Sequence, residues 1–264
     1  METLFSVLVT NLGVALGTML LAWFISVLKK DAGVTDIFWG LGFVFIAWVS
    51  FLLGDGYVMR GLLLALLTSI WGLRLTIHIL IRNWGQPEDR RYQAFRKRYG
   101  DHFWYKSLYT VFGLQAVLMW IISLVVQTGV ISYLPDQLTW LDMLGILVWV
   151  FGFLFEAVAD LQLSRFKGDP ENQGKVMEKG LWAFSRHLNY FGESLIWWGI
   201  FLITLSTPRS FWTIISPILI TFLLLRVSGV RMLERTITKR RPEYEAYIRN
   251  TSAFIPWFTK KDKI

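Results

Sequence analysis

From Leu4 to Leu28 the chain runs for 25 mostly apolar residues. As one helix, a run of that length spans the roughly 30 Å of a bilayer's hydrocarbon. No basic segment precedes it, and Lys29 and Lys30 follow it. That order predicts a retained helix rather than a cleaved leader. Further apolar runs follow at Ile37–Leu53, Gly61–Ile81, Leu108–Ile131, Leu138–Leu161, Tyr190–Leu205 and Phe211–Val227. The expectation is an all-α, polytopic membrane protein with seven transmembrane helices, forming one domain over residues 1–264. No internal repeat or linker divides it.

Charge orients those helices. With the amino terminus outside and the carboxyl terminus cytoplasmic, 25 of the 27 Lys and Arg residues fall inside, leaving Arg60 and Arg209 outside. Basic residues favour the cytoplasmic side. The same orientation brings Asp36, His78, Arg82, Glu156, Asp160 and Arg226 to the inner ends of their helices. The net charge of +8 thus points to a membrane surface and an anionic cofactor, and not to nucleic acid. The absence of cysteine excludes disulfides, thiolate nucleophiles and Cys-ligated metal.

One stretch concentrates polar chemistry. Gly180–Glu193 holds Arg186, His187, Asn189, Tyr190 and Glu193 at the mouth of an apolar run. Polar groups there are costly unless they are paired or bind something. A plainer reading is a helix cap, with Ser185 or Asn189 accepting the first free N–H groups and Arg186 snorkelling to headgroups. Arg165, Lys167, Lys175, Arg186, Arg226 and Arg231 can form a cradle for phosphates. Asp160 and Glu193 either accept from ribose hydroxyls or pair with those cations. Glu88–Tyr99 reads as an interfacial helix with Tyr92, Phe95 and Tyr99 on one face. Rossmann, P-loop and HExxH patterns are missing, and the three histidines are scattered, so no metal site is expected.

Gly180-Leu-Trp, Ser185-Arg-His-Leu-Asn-Tyr-Phe-Gly-Glu193 and Trp197-Trp198-Gly199 resemble the carboxyl-terminal signature of the membrane steroid 5α-reductase superfamily, closest to its bacterial branch. Asp36-Ile-Phe-Trp-Gly-Leu-Gly42, Glu88-Asp89-Arg90-Arg91-Tyr92, Asp160–Lys167, Tyr244-Glu-Ala-Tyr247 and Phe254-Ile-Pro-Trp257 fit the same branch. The resemblance implies NADPH as cofactor and reduction of a carbon–carbon double bond, often an enone, in a sterol-like or isoprenoid lipid drawn from the bilayer. It also implies a bacterial inner (cell) membrane.

By matching motif, Asp160, Lys167, Arg186, Asn189, Glu193 and Arg226 fall at cofactor-lining positions. His187, Tyr190, Arg165 and Arg231 adjoin them, and Tyr244 and Tyr247 belong to the tail motif. The catalytic candidates are His78, Arg82 and Asp36 toward the lipid's polar end, with Glu156 as a proton relay. Two departures stand out: His-Pro-Asn reads His187-Leu188-Asn189, and the Gln-Glu pair of the steroid enzymes is missing.

Isoprenylcysteine carboxyl methyltransferases, which use S-adenosylmethionine, carry a similar Arg-His-Pro-x-Tyr-x-Gly motif and a later Glu-Glu pair. Here that later position is Glu234-Arg235. A non-catalytic lipid-binding protein of the same architecture is a further alternative.

Overall fold

The computed structural model describes residues 2–227, 229–230, 234, 237–238 and 243–259. Among the described residues every regular element is helical, and one parallel bridge joins Ser185 to Ser252. The helices are α1 (Glu2–Lys29), α2 (Val34–Leu53), α3 (Val58–Asn83), α4 (Arg90–Tyr99), α5 (Phe103–Ser107), α6 (Leu114–Ile122) and α7 (Leu124–Gly129). They continue with α8 (Trp140–Gly168), α9 (Leu188–Leu205), α10 (Ile215–Phe222) and α11 (Tyr244–Asn250).

Among the described residues, six helical runs are long and apolar enough to cross a membrane: Thr3–Lys29, Val34–Leu53, Val58–Asn83, Arg90–Gly129, Trp140–Gly168 and Leu188–Leu205. Leu20, Leu21, Phe24 and Leu28 of α1 are exposed, as a lipid-facing helix requires. The chain is an integral membrane protein. The expected seventh span, Phe211–Val227, is helical but shorter than the other six. At 17 residues it is one residue shorter than the Leu188–Leu205 run. The fifth run also departs from expectation. Its helix passes Leu161 and continues to Gly168, so part of the expected polar loop is helix.

The described chain packs as two compact units. The first comprises Met1–Asp142 with Ile203–Ser216, and the second Met143–Leu202 with Pro217–Ile264.

In the first unit, α2 and α3 meet at a glycine seam. A Cβ added at Gly40 would lie 2.3 Å from the Gly72 carbonyl oxygen. Only glycine permits that approach, and small residues are what lets membrane helices pack closely. Phe43 and Trp71 stack edge to face beside it, with ring centroids 5.5 Å apart.

Arg60, near the start of α3, is fully buried. Its Nε donates to Asp142 Oδ1 at 2.9 Å and its Nη2 to Oδ2 at 3.3 Å. The carbonyls of Pro135 and Gln137 accept two further N–H groups. A buried cation is tolerated when it is paired and four of its five N–H donors are matched in this way.

In the second unit, α8 and α9 run antiparallel along a second seam. A Cβ at Gly192 would lie 2.5 Å from the Gly152 carbonyl, and one at Gly199 would lie 2.7 Å from the Gly145 carbonyl. Both pairs are seven residues apart on each helix, two turns, so they share one face. Ser194 of α9 adds a 2.7 Å hydrogen bond to Thr221 of α10.

Candidate functional site

The site is built on the end of α8. Glu156 and Asp160 lie one turn apart there, 2% and 6% exposed. The chain leaves α8 and returns through Gly180, whose φ of +62° is a left-handed value that favours glycine. The returning turn is stapled to α8 twice. Leu181 N–H donates to Gln162 Oε1 at 3.0 Å, and Trp182 Nε1 donates to the Ala159 carbonyl at 3.0 Å. Leu188, at the start of α9, packs against Ala159 and Trp182. The residue that replaces the usual proline is therefore a core side chain, 1% exposed.

These contacts set Asn189 against Asp160, and Nδ2 donates to Oδ1 at 3.1 Å. The expectation of Asn189 as a helix cap is overturned, because it sits inside the first turn of α9 with its amide turned to α8. Ser185 keeps part of the capping role, accepting from His187 N–H at 3.2 Å. Gly192 brings the same turn of α9 against Glu156, since a Cβ there would lie 2.6 Å from Glu156 N. Glu193 is 9% exposed.

The tail closes over this turn. Tyr247 Oη donates to the Trp182 carbonyl, and Ser185 Oγ donates to the Phe254 carbonyl at 2.8 Å. Arg186 N–H donates to the Ser252 carbonyl at 2.9 Å, and Trp257 N–H to the Phe184 carbonyl at 3.0 Å. Tyr244 and Tyr247 are buried. Burial, then the nearby charge of Glu234, pushes the Tyr244 phenol up to about 12. Burial likewise pushes Tyr247 up, so it stays a neutral donor to the Trp182 carbonyl at physiological pH.

Arg186 departs most from expectation. It does not offer its charge to a cradle. Its Nε donates to Glu234 Oε1 at 2.7 Å, and its Nη1 donates to the carbonyls of Ile248 and Thr251. His187 Nε2 also lies 3.1 Å from Glu234 Oε1, and its ring stacks on Tyr190 with centroids 5.6 Å apart. Burial pushes the Glu234 carboxyl up, but hydrogen bonds from His187 and Arg186 outweigh it and hold the group below its ordinary value near 4.5. Arg186, His187 and Glu234 thus tie the tail to the head of α9. Glu234 gave no sequence signal except its place where the methyltransferases carry an acidic pair.

The remaining cations of the cradle are on the surface. Arg165, Lys167, Lys175 and Arg226 are exposed, and Arg231 lies outside the described residues.

In the first unit, His78 is half-buried on α3, and Arg82 is exposed, donating to Asn83 Oδ1 at 3.2 Å. Asp36 accepts from Tyr92 Oη and from Arg91 Nη2, each at 2.7 Å. Both oxygens of this catalytic candidate are thereby engaged in holding α4. The cap of α4 is Asp89, so the helix begins at Arg90 and not at Glu88. Glu88 instead accepts from Ala32 N–H at 2.8 Å and from Arg96.

Taken as chemistry, the second unit offers a buried carboxylate paired with a half-buried amide, with two further buried carboxylates near the same turn. Exposed cations stand on the last turns of α8. Carboxylate and amide together bind hydroxyls or a carboxamide, and cations bind phosphate.

The family described as a protein of unknown function (DUF1295) matches residues 22–251 of this chain. An uncharacterized protein of Schizosaccharomyces pombe is 24% identical over 266 aligned residues, covering 89% of this chain and 75% of that protein. No solved structure matches the chain.

Proposed function

The chain belongs to the DUF1295 family, and from that membership we propose a membrane-embedded, NADPH-dependent reductase of a carbon–carbon double bond in a sterol-like or isoprenoid lipid. The family is associated with steroid 5-alpha reductase-like membrane proteins. The charge bias supports seven crossings with the amino terminus outside and the carboxyl terminus cytoplasmic. The proposed setting is a bacterial cell membrane.

The observation that carries the reading is the half-buried Asp160–Asn189 pair, 3.1 Å apart on α8 and α9. Its donors and acceptors suit the ribose and carboxamide groups of a nicotinamide nucleotide. Arg165 and Lys167, exposed on the last turns of α8, suit its phosphates, with Arg226 as a third cation. Arg186 is left out of that role, since Glu234 and two carbonyls hold it.

Hydride delivery to the β-carbon of an enone is the chemistry that bound NADPH supplies. The electron pair of the double bond then moves onto the carbonyl oxygen, and a proton completes the α-carbon. Glu156 is the carboxyl proposed to move that proton. Of the groups in the first unit, Asp36 is not carried forward, because Arg91 and Tyr92 engage both of its oxygens.

Calorimetric titration of the detergent-solubilised protein with NADPH tests the reading. Binding is expected in the micromolar range, and Asn189→Ala and Glu193→Gln are expected to abolish it while the protein stays folded. Unchanged affinity in both variants would overturn the assignment.

One observation favours a second reading, S-adenosylmethionine-dependent methyl transfer. Glu234, at the position of the methyltransferases' acidic pair, contacts both Arg186 and His187. Binding of S-adenosylmethionine alone in the same titration would select it. No binding of either would favour a non-catalytic lipid-binding protein.

A further inference from the structure

We infer that the tail segment from Phe254 to Phe258, together with Phe184, dips into the apolar edge of the bilayer, so that the lipid surface is the partner of this tail. The segment carries the Phe254-Ile-Pro-Trp257 motif, to which the proposed reaction gives no task. Ile255 is 64% exposed, Trp257 70% and Phe258 77%, with Phe184 beside them at 40%. The Phe258 ring lies 6.2 Å from that of Phe184 and 6.5 Å from that of Trp257, centroid to centroid. These side chains form one patch, and an exposed apolar patch marks a contact surface.

The patch is continuous with the lipid-facing side of α8. Phe254 meets Phe191, at the first turn of α9, edge to face at 5.6 Å. Phe191 in turn lies 6.1 Å from Phe155 of α8. Phe151, Leu154, Phe155 and Val158 follow the i, i+3, i+4, i+7 spacing of one helix face. Phe151, Leu154 and Val158 are exposed there, on a helix long and apolar enough to cross the membrane. The three rings thus lead from the tail to that face, and they set Phe254 level with the first turn of α9.

The backbone of the segment suits an apolar setting. In lipid an unpaired peptide group is costly. Here the Phe254 carbonyl accepts from Ser185 Oγ at 2.8 Å, and Trp257 N–H donates to the Phe184 carbonyl at 3.0 Å. Pro256 has no N–H to satisfy. The same bonds, with the bridge between Ser185 and Ser252, fix the segment on the head of α9. Tryptophan is enriched where membrane meets water. Past Thr259 the sequence turns to Lys260-Lys261-Asp262-Lys263, a basic run suited to headgroup phosphates. The tail is thus held by the bilayer as well as by Arg186 and Glu234.

Site-directed spin labelling of the whole protein in vesicles of phosphatidylcholine and phosphatidylglycerol tests this. The chain has no cysteine, so a nitroxide on one introduced cysteine reports a single position. Ile255→Cys and Phe258→Cys carry the test, and both replace exposed side chains, so the thermal midpoint should not move. Phe151→Cys on the lipid-facing side of α8 and Gln173→Cys in the exposed polar loop are the references. Oxygen concentrates in hydrocarbon, whereas a water-soluble nickel chelate stays outside it. Labels at 255 and 258 are expected to relax faster with oxygen than with the chelate, as at 151, and in the reverse order to 173. Accessibility matching Gln173→Cys at both positions would overturn the inference. Low access to both reagents would overturn it too, since the patch would then be covered by protein, and dipolar broadening between labels would identify that protein as a second copy of the chain.

Discussion

Asn189 Nδ2 donates to Asp160 Oδ1 at 3.1 Å, joining the first turn of α9 to the end of α8. The pair is complementary, with one donor and one charged acceptor. Asn189→Asp would set a half-buried carboxylate against the buried Asp160. A loss of about 1–3 kcal/mol is expected, the cost of leaving a buried polar group unsatisfied. The double swap Asp160→Asn with Asn189→Asp restores donor and acceptor with their positions exchanged. Thermal unfolding in detergent should show the single variant destabilised and most of the loss recovered in the double.

Arg186 concentrates the docking of the tail. Replacing it by Met removes the donors to Glu234, Ile248 and Thr251 together. Breaking a buried ion pair from one side costs about 3 kcal/mol or more. The expected result is faster amide hydrogen exchange over Tyr244–Asn250, with α1 to α3 unchanged.

Glu234 makes that docking sensitive to acid. Its carboxyl is held below the ordinary value near 4.5 in the folded chain. A depressed carboxyl contributes stability that is fully present above its unfolded value and is lost as the pH falls through the folded one. The protection factors of the tail amides, which divide out the intrinsic pH dependence of exchange, should therefore stay constant from neutral pH down to about 4.5 and fall below it. Glu234→Gln should exchange faster at neutral pH and lose most of that pH dependence.

Gly192 tests the seam. With Ala, the added methyl would meet the Gly152 carbonyl at 2.5 Å and Glu156 N at 2.6 Å. Both atoms are backbone and do not yield easily. Overpacking of this kind costs about 1–3 kcal/mol. The thermal midpoint should fall, and nucleotide binding should fall with it, because the same turn carries Asn189 and Glu193.

Leu188→Pro separates motif from packing. Proline is well accepted in the first turn of a helix, so the backbone tolerates it. The leucine side chain against Ala159 and Trp182 is lost, however. A lowered thermal midpoint is expected, without gain of nucleotide affinity.

The apolar runs were legible in the sequence because membrane spans announce themselves by length and composition, and α1, α2 and α3 lie within a few residues of their expected bounds. Asp160 and Asn189 could be named from motif, but not as partners. Their contact depends on Gln162, Gly180 and Trp182 folding the chain back on α8, and none of those has a periodic signature. The pairing of Arg186 was not legible for a related reason. Its partner Glu234 lies 48 residues away, and charge alone does not tell a ligand site from an internal pair. The glycines of the motifs were read as part of a signature. Their physical role, close approach of Gly40 to Gly72 and of Gly152 to Gly192, appears only when the helices are paired.

The Arg60–Asp142 pair has a consequence for how the chain is made. The two residues are 82 positions apart. At ribosomal speeds of roughly 5–20 residues per second, the arginine waits on the order of 4–16 s for its carboxylate. The first unit also takes in Ile203–Ser216, which is synthesised after α8 and most of α9. The amino-terminal helices are thus the first to be made but not the first to be finished, since a segment of their own unit follows α8 out of the ribosome.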